Sequence, residues 1–91
     1  MTIYDLIVEP GREEHIARHA VTVEDTEEVV FGQHVVFRTR SGRYGLIGQT
    51  AAGRYLRIIV APRAERGVYG LVTASDASDA DRRLYRRRRG H

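Results

Sequence analysis

The sequence predicts a single α+β domain: an N-terminal strand and two short helices, then an antiparallel β-meander, then a basic C-terminal helix. Three observations carry that expectation. The 91 residues are one domain's worth, 1–91. Apolar residues recur at three- and four-residue spacing over roughly 16–30 and then switch to strand-like runs separated by Gly-containing turns. The C-terminal segment places its acids before its arginines, the order that complements a helix dipole.

Ile3 to Val8 is a short apolar run with β-branched residues, and it reads as a strand. Pro10 suits the first turn of a helix over 11–20, with Glu13 and Glu14 early and His19 late. Ile16, Ala17 and Ala20 are its expected apolar side. Thr22 can cap a second helix, with Asp25 at capping-box distance and Val23, Thr26, Val29 and Val30 as the stripe. Gly32 is placed to end it. Strands follow over 34–39, 43–50, 54–61 and 67–74, and short links between them imply antiparallel neighbours. Pro62 ends the third ladder. In that strand Leu56, Ile58 and Val60 share one face, expected under the helices, and Tyr55, Arg57, Ile59 and Ala61 share the other. A helix over 77–88 closes the domain, with Ser75 as its expected cap and residues 86–91 as a frayed basic tail.

Every basic residue is arginine, 15 in all, and there is no cysteine. Disulfides, thiolate metal sites and cysteine nucleophiles are therefore excluded. No apolar run approaches the roughly 20 residues that span a bilayer. Residues 1–9 do not resemble a signal peptide, so the expected location is cytoplasmic, with no membrane partner. Residues 1–30 hold eight acids and two arginines, a net of −6, while 31–91 hold 13 arginines and four acids, a net of +9. One part of the chain suits a basic neighbour and the other an anionic one, or both are solvated faces.

The order of short motifs resembles the BrnT family of toxins from type II toxin–antitoxin systems, within the RelE-like group. That family runs Lys-His-Gly, Val-Ser-Phe-Glu-Glu-Ala and a Val-Phe ending. The counterparts here are Arg18-His19-Ala20, Val21-Thr22-Val23-Glu24-Asp25-Thr26 and Val29-Val30-Phe31. An Arg-x-x-x-Ile-Gly strand, a Gly-Arg-x-Leu turn and a Val-rich strand correspond to Arg43–Gly48, Gly53–Leu56 and Arg57–Val60. The closing Ile-Ser-Ala-Arg, Glu-Arg and Tyr look like Val72-Thr73-Ala74-Ser75, Asp81-Arg82 and Tyr85. The match covers nearly the whole chain. It departs from the pattern at Ala20, where the family has Gly, and at Ser75, where the family ends its last strand with Arg.

The resemblance implies a metal-independent endoribonuclease that inhibits translation. It needs no cofactor, has RNA as substrate, and is partnered by a ribbon-helix-helix antitoxin of BrnA type that carries the operator-DNA contact. RNA cleavage without a metal requires a base, an acid, and positive groups at the phosphorane. Arginine fits only the last role. Arg43, Arg54 and Arg57 are the candidates for it, and Tyr85 for proton donation or base stacking. Imidazole is the side chain suited to both proton-transfer roles, which brings in His15, His19 and His34 as candidates. Arg82, Arg83 and Arg86 are the candidate RNA contacts. Ser75 leaves a second function class open: a toxin-like module that binds RNA or protein without cleaving.

Overall fold

The structure is a computed structural model and describes residues 1–89. It runs β1 (Asp5–Ile7), α1 (Pro10–Ala17), α2 (Val23–Val30), β2 (His34–Arg38), β3 (Tyr44–Gln49), β4 (Tyr55–Pro62), β5 (Val68–Asp76) and α3 (Asp79–Arg88). This is the expected α+β order. The strands form one sheet in the order β1-β5-β4-β3-β2. β2 to β5 are an antiparallel meander, and β1 joins parallel to β5 with Asp5 opposite Val68.

The two faces of the sheet are covered differently. Leu46, Leu56, Ile58, Val60, Leu71 and Ala74 on one face meet Ile16, Val21, Val29 and Val30 from the α1–α2 layer, all 2% exposed or less. The second face carries a smaller cluster of Val35, Ile47 and Ala77, against which Phe37, Tyr55, Leu84 and Tyr85 pack. α3 lies across only part of that face, because β5 and Ala77 deliver it near Tyr55 and its end reaches β2, where Arg88 donates to the Val36 carbonyl. The rest of the face is open, and Arg57 stands on it in mid-strand as the alternation requires.

The N-terminal layer departs from expectation in instructive ways. β1 stops at Ile7, and α1 then takes its place beside the edge of β5: Arg12 donates to the Val72 carbonyl, and His15 Nε2 lies 3.0 Å from Thr73 Oγ1. Of the expected apolar side only Ile16 is buried; Ala17 and Ala20 are exposed, since α1 ends at Ala17 rather than Ala20. α2 matches its reading. Thr22 and Asp25 form both halves of the capping box, and Thr26, Val29 and Val30 are buried. Gly32 ends this helix through close approach, since a Cβ there would stand 2.3 Å from the Glu28 carbonyl oxygen. α3 is capped by Ser78 with Asp81, not by Ser75, which belongs to β5. The arginines read as a frayed tail are helical through Arg88. Arg89 bonds Gln33, and residues 90–91 lie outside the described residues.

The turn after α1 holds the one non-glycine residue among those described with positive φ, Ala20 at 57°. A side chain in that region costs roughly 1–2 kcal/mol, which glycine avoids. Ala20→Gly is expected to raise stability by about 1 kcal/mol, less what glycine loses in the unfolded chain. Denaturant unfolding measures this, and a lower midpoint for the glycine variant would show that the turn is not strained.

Candidate nucleic-acid interface

The open part of the second face is built from three strands. Arg57 projects from β4, directly opposite Ser75 on β5 and Ile47 on β3. Its guanidinium lies 5.0 Å from the centre of the Phe37 ring. That ring reaches over from β2 because β3 has Gly45 beneath it; a Cβ on Gly45 would stand 2.0 Å from the ring. A glycine that weakens strand propensity is thus the seat of an aromatic side chain, and the aromatic side chain is a seat for the arginine. Along β4 from Arg57, Tyr55 repeats the arrangement. Arg82 of α3 lies 5.3 Å from its ring centre. Buried Arg82 Nε has no hydrogen-bond partner among the described residues. A buried donor without a partner costs about 1–3 kcal/mol.

Tyr85 faces inward, edge-on to Tyr55 with ring centres 5.7 Å apart, and Arg89 lies 5.9 Å from its ring centre. Its half-buried ring helps hold α3 to the sheet. Arg82 and Arg86 are one helical turn apart, with exposed Arg83 on the adjoining row. Of the three candidate RNA contacts, Arg82 stands at the open face, Arg86 lies on its row of α3, and Arg83 faces solvent.

Arg43 and Arg54 are not gathered around Arg57. Arg43 is exposed in the β2–β3 turn, and Arg54 lies in the β3–β4 turn at the other end of β3. Arg54 makes a three-way clamp: Nε donates to Asp76 Oδ1 at 2.7 Å, Nη1 to the Ala20 carbonyl at 2.5 Å and Nη2 to the His19 carbonyl at 2.9 Å. It ties the turn after α1 to the end of β5. The Asp76 hydrogen bond raises the Arg54 pKa, and Arg54 in turn holds the Asp76 carboxyl below its usual range.

His15 and His19 stand edge-to-face with ring centres 5.8 Å apart on α1 and the turn that follows it. No group of three or more potential ligands able to hold a metal occurs among the described residues. His34 Nδ1 donates to the Val29 carbonyl at 2.9 Å, which fastens β2 to the end of α2. The rings of Phe37 and Tyr55 are what sequence reading missed. Each lies on an expected strand, but only the cross-strand register shows which arginine it meets.

Arg54→Ala should cost about 1–2 kcal/mol, the value of charge-assisted hydrogen bonds discounted for partial exposure. The Asp76 side of the clamp has a definite sign. A carboxyl whose folded pKa is lowered stabilises the fold above its unfolded pKa and loses that contribution as pH falls through the folded value. Wild type should therefore exceed Asp76→Asn in stability at neutral pH, and the difference should close in acid. A difference independent of pH would assign the effect to packing.

Among the described residues no helix is long and apolar enough to cross a membrane. No family model matches the chain, and no curated protein does. Among solved structures, the crystal structure of the Brucella abortus ribonuclease toxin BrnT is similar, with a TM-score of 0.65 and 23% sequence identity. The match covers 86% of this chain and all of that one. At that identity the likeness speaks to architecture alone: this chain has the BrnT-like fold.

Proposed function

We propose that the chain is a BrnT-like toxin of a type II toxin–antitoxin pair, a metal-independent endoribonuclease that inhibits translation in the cytoplasm. Its proposed partner is a cognate ribbon-helix-helix antitoxin of BrnA type, which contacts operator DNA on behalf of both. The observation that carries the reading is the open sheet face of a BrnT-like fold, where Arg57 and Arg82 sit on aromatic rings beside one another. Guanidinium groups on apolar seats are only partly hydrated and have free edges for phosphate oxygens.

In this reading Arg57 receives the charge that gathers on the phosphorane, and Arg82, Arg83 and Arg86 hold the flanking phosphates. Proton transfer requires a titratable group. His15 stands at the β5 edge of the face, held at Thr73, and Tyr85 lies under α3 on the other side. Arg54 contributes by positioning, since it fixes the turn that follows the helix of His15. Arg43, at the end of the β2–β3 hairpin, meets RNA away from the reacting phosphate.

The second reading is a binding module without useful catalysis. Ser75 favours it, because the position opposite Arg57 is where the family pattern has a further arginine.

Expression without a partner should slow bacterial growth and cleave RNA; normal growth with intact RNA at high soluble expression would leave only the binding module. Arg57→Ala should cut cleavage at least tenfold. Arg63→Ala should not, because Arg63 is paired with Glu9 at 3.1 Å and laid over Gly70. Equal losses would mean that total charge acts rather than position. Ser75→Arg should raise cleavage on the order of a hundredfold, and it leaves the α3 cap at Ser78 intact. An unchanged rate in that stable variant would remove position 75 from the site.

A further inference from the structure

The end of the sheet that carries the β2–β3 hairpin and the β4–β5 loop adjoins the Arg57 face, and the two meet at Phe37. Three tyrosines from three different elements meet there. Tyr44 opens β3, Tyr69 lies near the start of β5, and Tyr4 precedes β1. Tyr44 and Tyr69 are edge-to-face with ring centres 6.2 Å apart. They line a cleft of about 580 Å³ with Val36, Phe37, Arg38 and Arg88. Tyr69 also lines the neighbouring hollow with Tyr4 and Arg66. Tyr4 is 75% exposed, and its ring lies on Gly67, where φ is +81° and a Cβ would stand 2.2 Å from the ring. The residue that lets the loop turn thus also seats the ring.

The charge around these rings is unbalanced. Arg38, Arg40, Arg43, Arg66 and Arg88 stand at this end, and the ion pairs found among the described residues, Arg54–Asp76 and Arg63–Glu9, use none of them. Asp5 and Glu65 are the carboxylates of the adjoining strand and loop besides the paired Glu9. Aromatic rings among arginines that no carboxylate pairs suit bases stacked on the rings and phosphates held by the guanidinium groups.

We propose that this end of the sheet binds a short run of single-stranded RNA, with bases against Tyr44, Tyr69 and Tyr4 and phosphates on Arg38, Arg66 and Arg88. It rests on the RNA reading above, extends it to the adjoining end of the sheet, and assigns Arg38, Arg66 and Arg88, to which that reading gives no RNA contact, to the strand beyond the reacting phosphate. The charge lies at the ends of turns and of α3, so the track is sequence-tolerant: it reads the backbone and the flat faces of bases.

The test is fluorescence anisotropy with a labelled hexauridylate carrying 2′-O-methyl riboses, which cannot be cleaved through the 2′-OH. Tyr4→Ala and Arg38→Ala alter exposed side chains and should each weaken binding on the order of tenfold. Arg18→Ala, which lines neither of these hollows, serves as the charge-matched control and should bind as wild type does. Failure of wild type to bind, equal affinity of the Tyr4 and Arg38 variants with wild type, or an equal loss in the Arg18 control would each overturn the track. An abasic oligomer binding as tightly as hexauridylate would overturn the stacking. Cleavage assays report separately. A chain that binds the oligomer through Tyr4 and Arg38 but cuts no RNA would end the nuclease reading and leave the track standing.

Discussion

Strand β4 has a neighbour on each edge and a complete apolar layer on one face. Leu56, Ile58 and Val60 are fully buried under α1 and α2, so the backbone has no freedom to present the other side chains anywhere but on the second face. A shift of register by one residue would put Arg57 into the core and Ile58 into water, and each half of that exchange costs several kcal/mol. The position of Arg57 is therefore set by burial of its neighbours. Phe37 reaches it only because β2 and β3 are locked to β4, with Ile47 opposite Arg57 and Gly45 opposite Phe37.

Much of this was legible in the sequence. Alternation in RYLRIIVA names both faces of β4 without further information. Thr22 and Asp25 name a capping box, and the change from helical to strand periodicity gives the element order. What was not legible depends on contacts far apart in the chain. Arg54 reads as the first residue of a strand and a candidate for the reacting phosphate, and nothing local indicates that its three donors meet Asp76, Ala20 and His19. Ser75 and Ser78 are equally good caps by composition; the deciding fact is that β5 continues to Asp76 and keeps Ser75 in the ladder. Ala20 reads as a mild replacement for glycine until its φ of 57° is known.

The candidate site was legible only in part for the same reason. Arg43, Arg54 and Arg57 are close in sequence, but antiparallel strands send them to one end, the other end and the middle of the sheet. The arginines of α3 lie far along the chain from Arg57 and come back to its face because the link after β5 is short and Ala77 N–H bonds the Tyr55 carbonyl. Aromatic rings are the hidden partners throughout. Phe37, Tyr55 and Tyr85 are ordinary strand and helix residues until topology pairs them with Arg57, Arg82 and Arg89.

The parallel strand β1 has a consequence for the birth of the molecule. Its partner is β5, near the other end of the chain, and α1 leans on the same strand through Arg12 and His15. A growing chain emerging from the ribosome has nothing against which to lay its first seventeen residues until β5 has appeared. The meander can pair strand by strand as it is made, but the acidic N-terminal layer waits. Ile16 then covers the core last, and the Arg54 clamp, which needs Asp76 from the same late strand, closes at the same stage. The sheet closes only once β5 has been synthesised, so a chain cut before β5 lacks the β1 pairing and the arginine helix together.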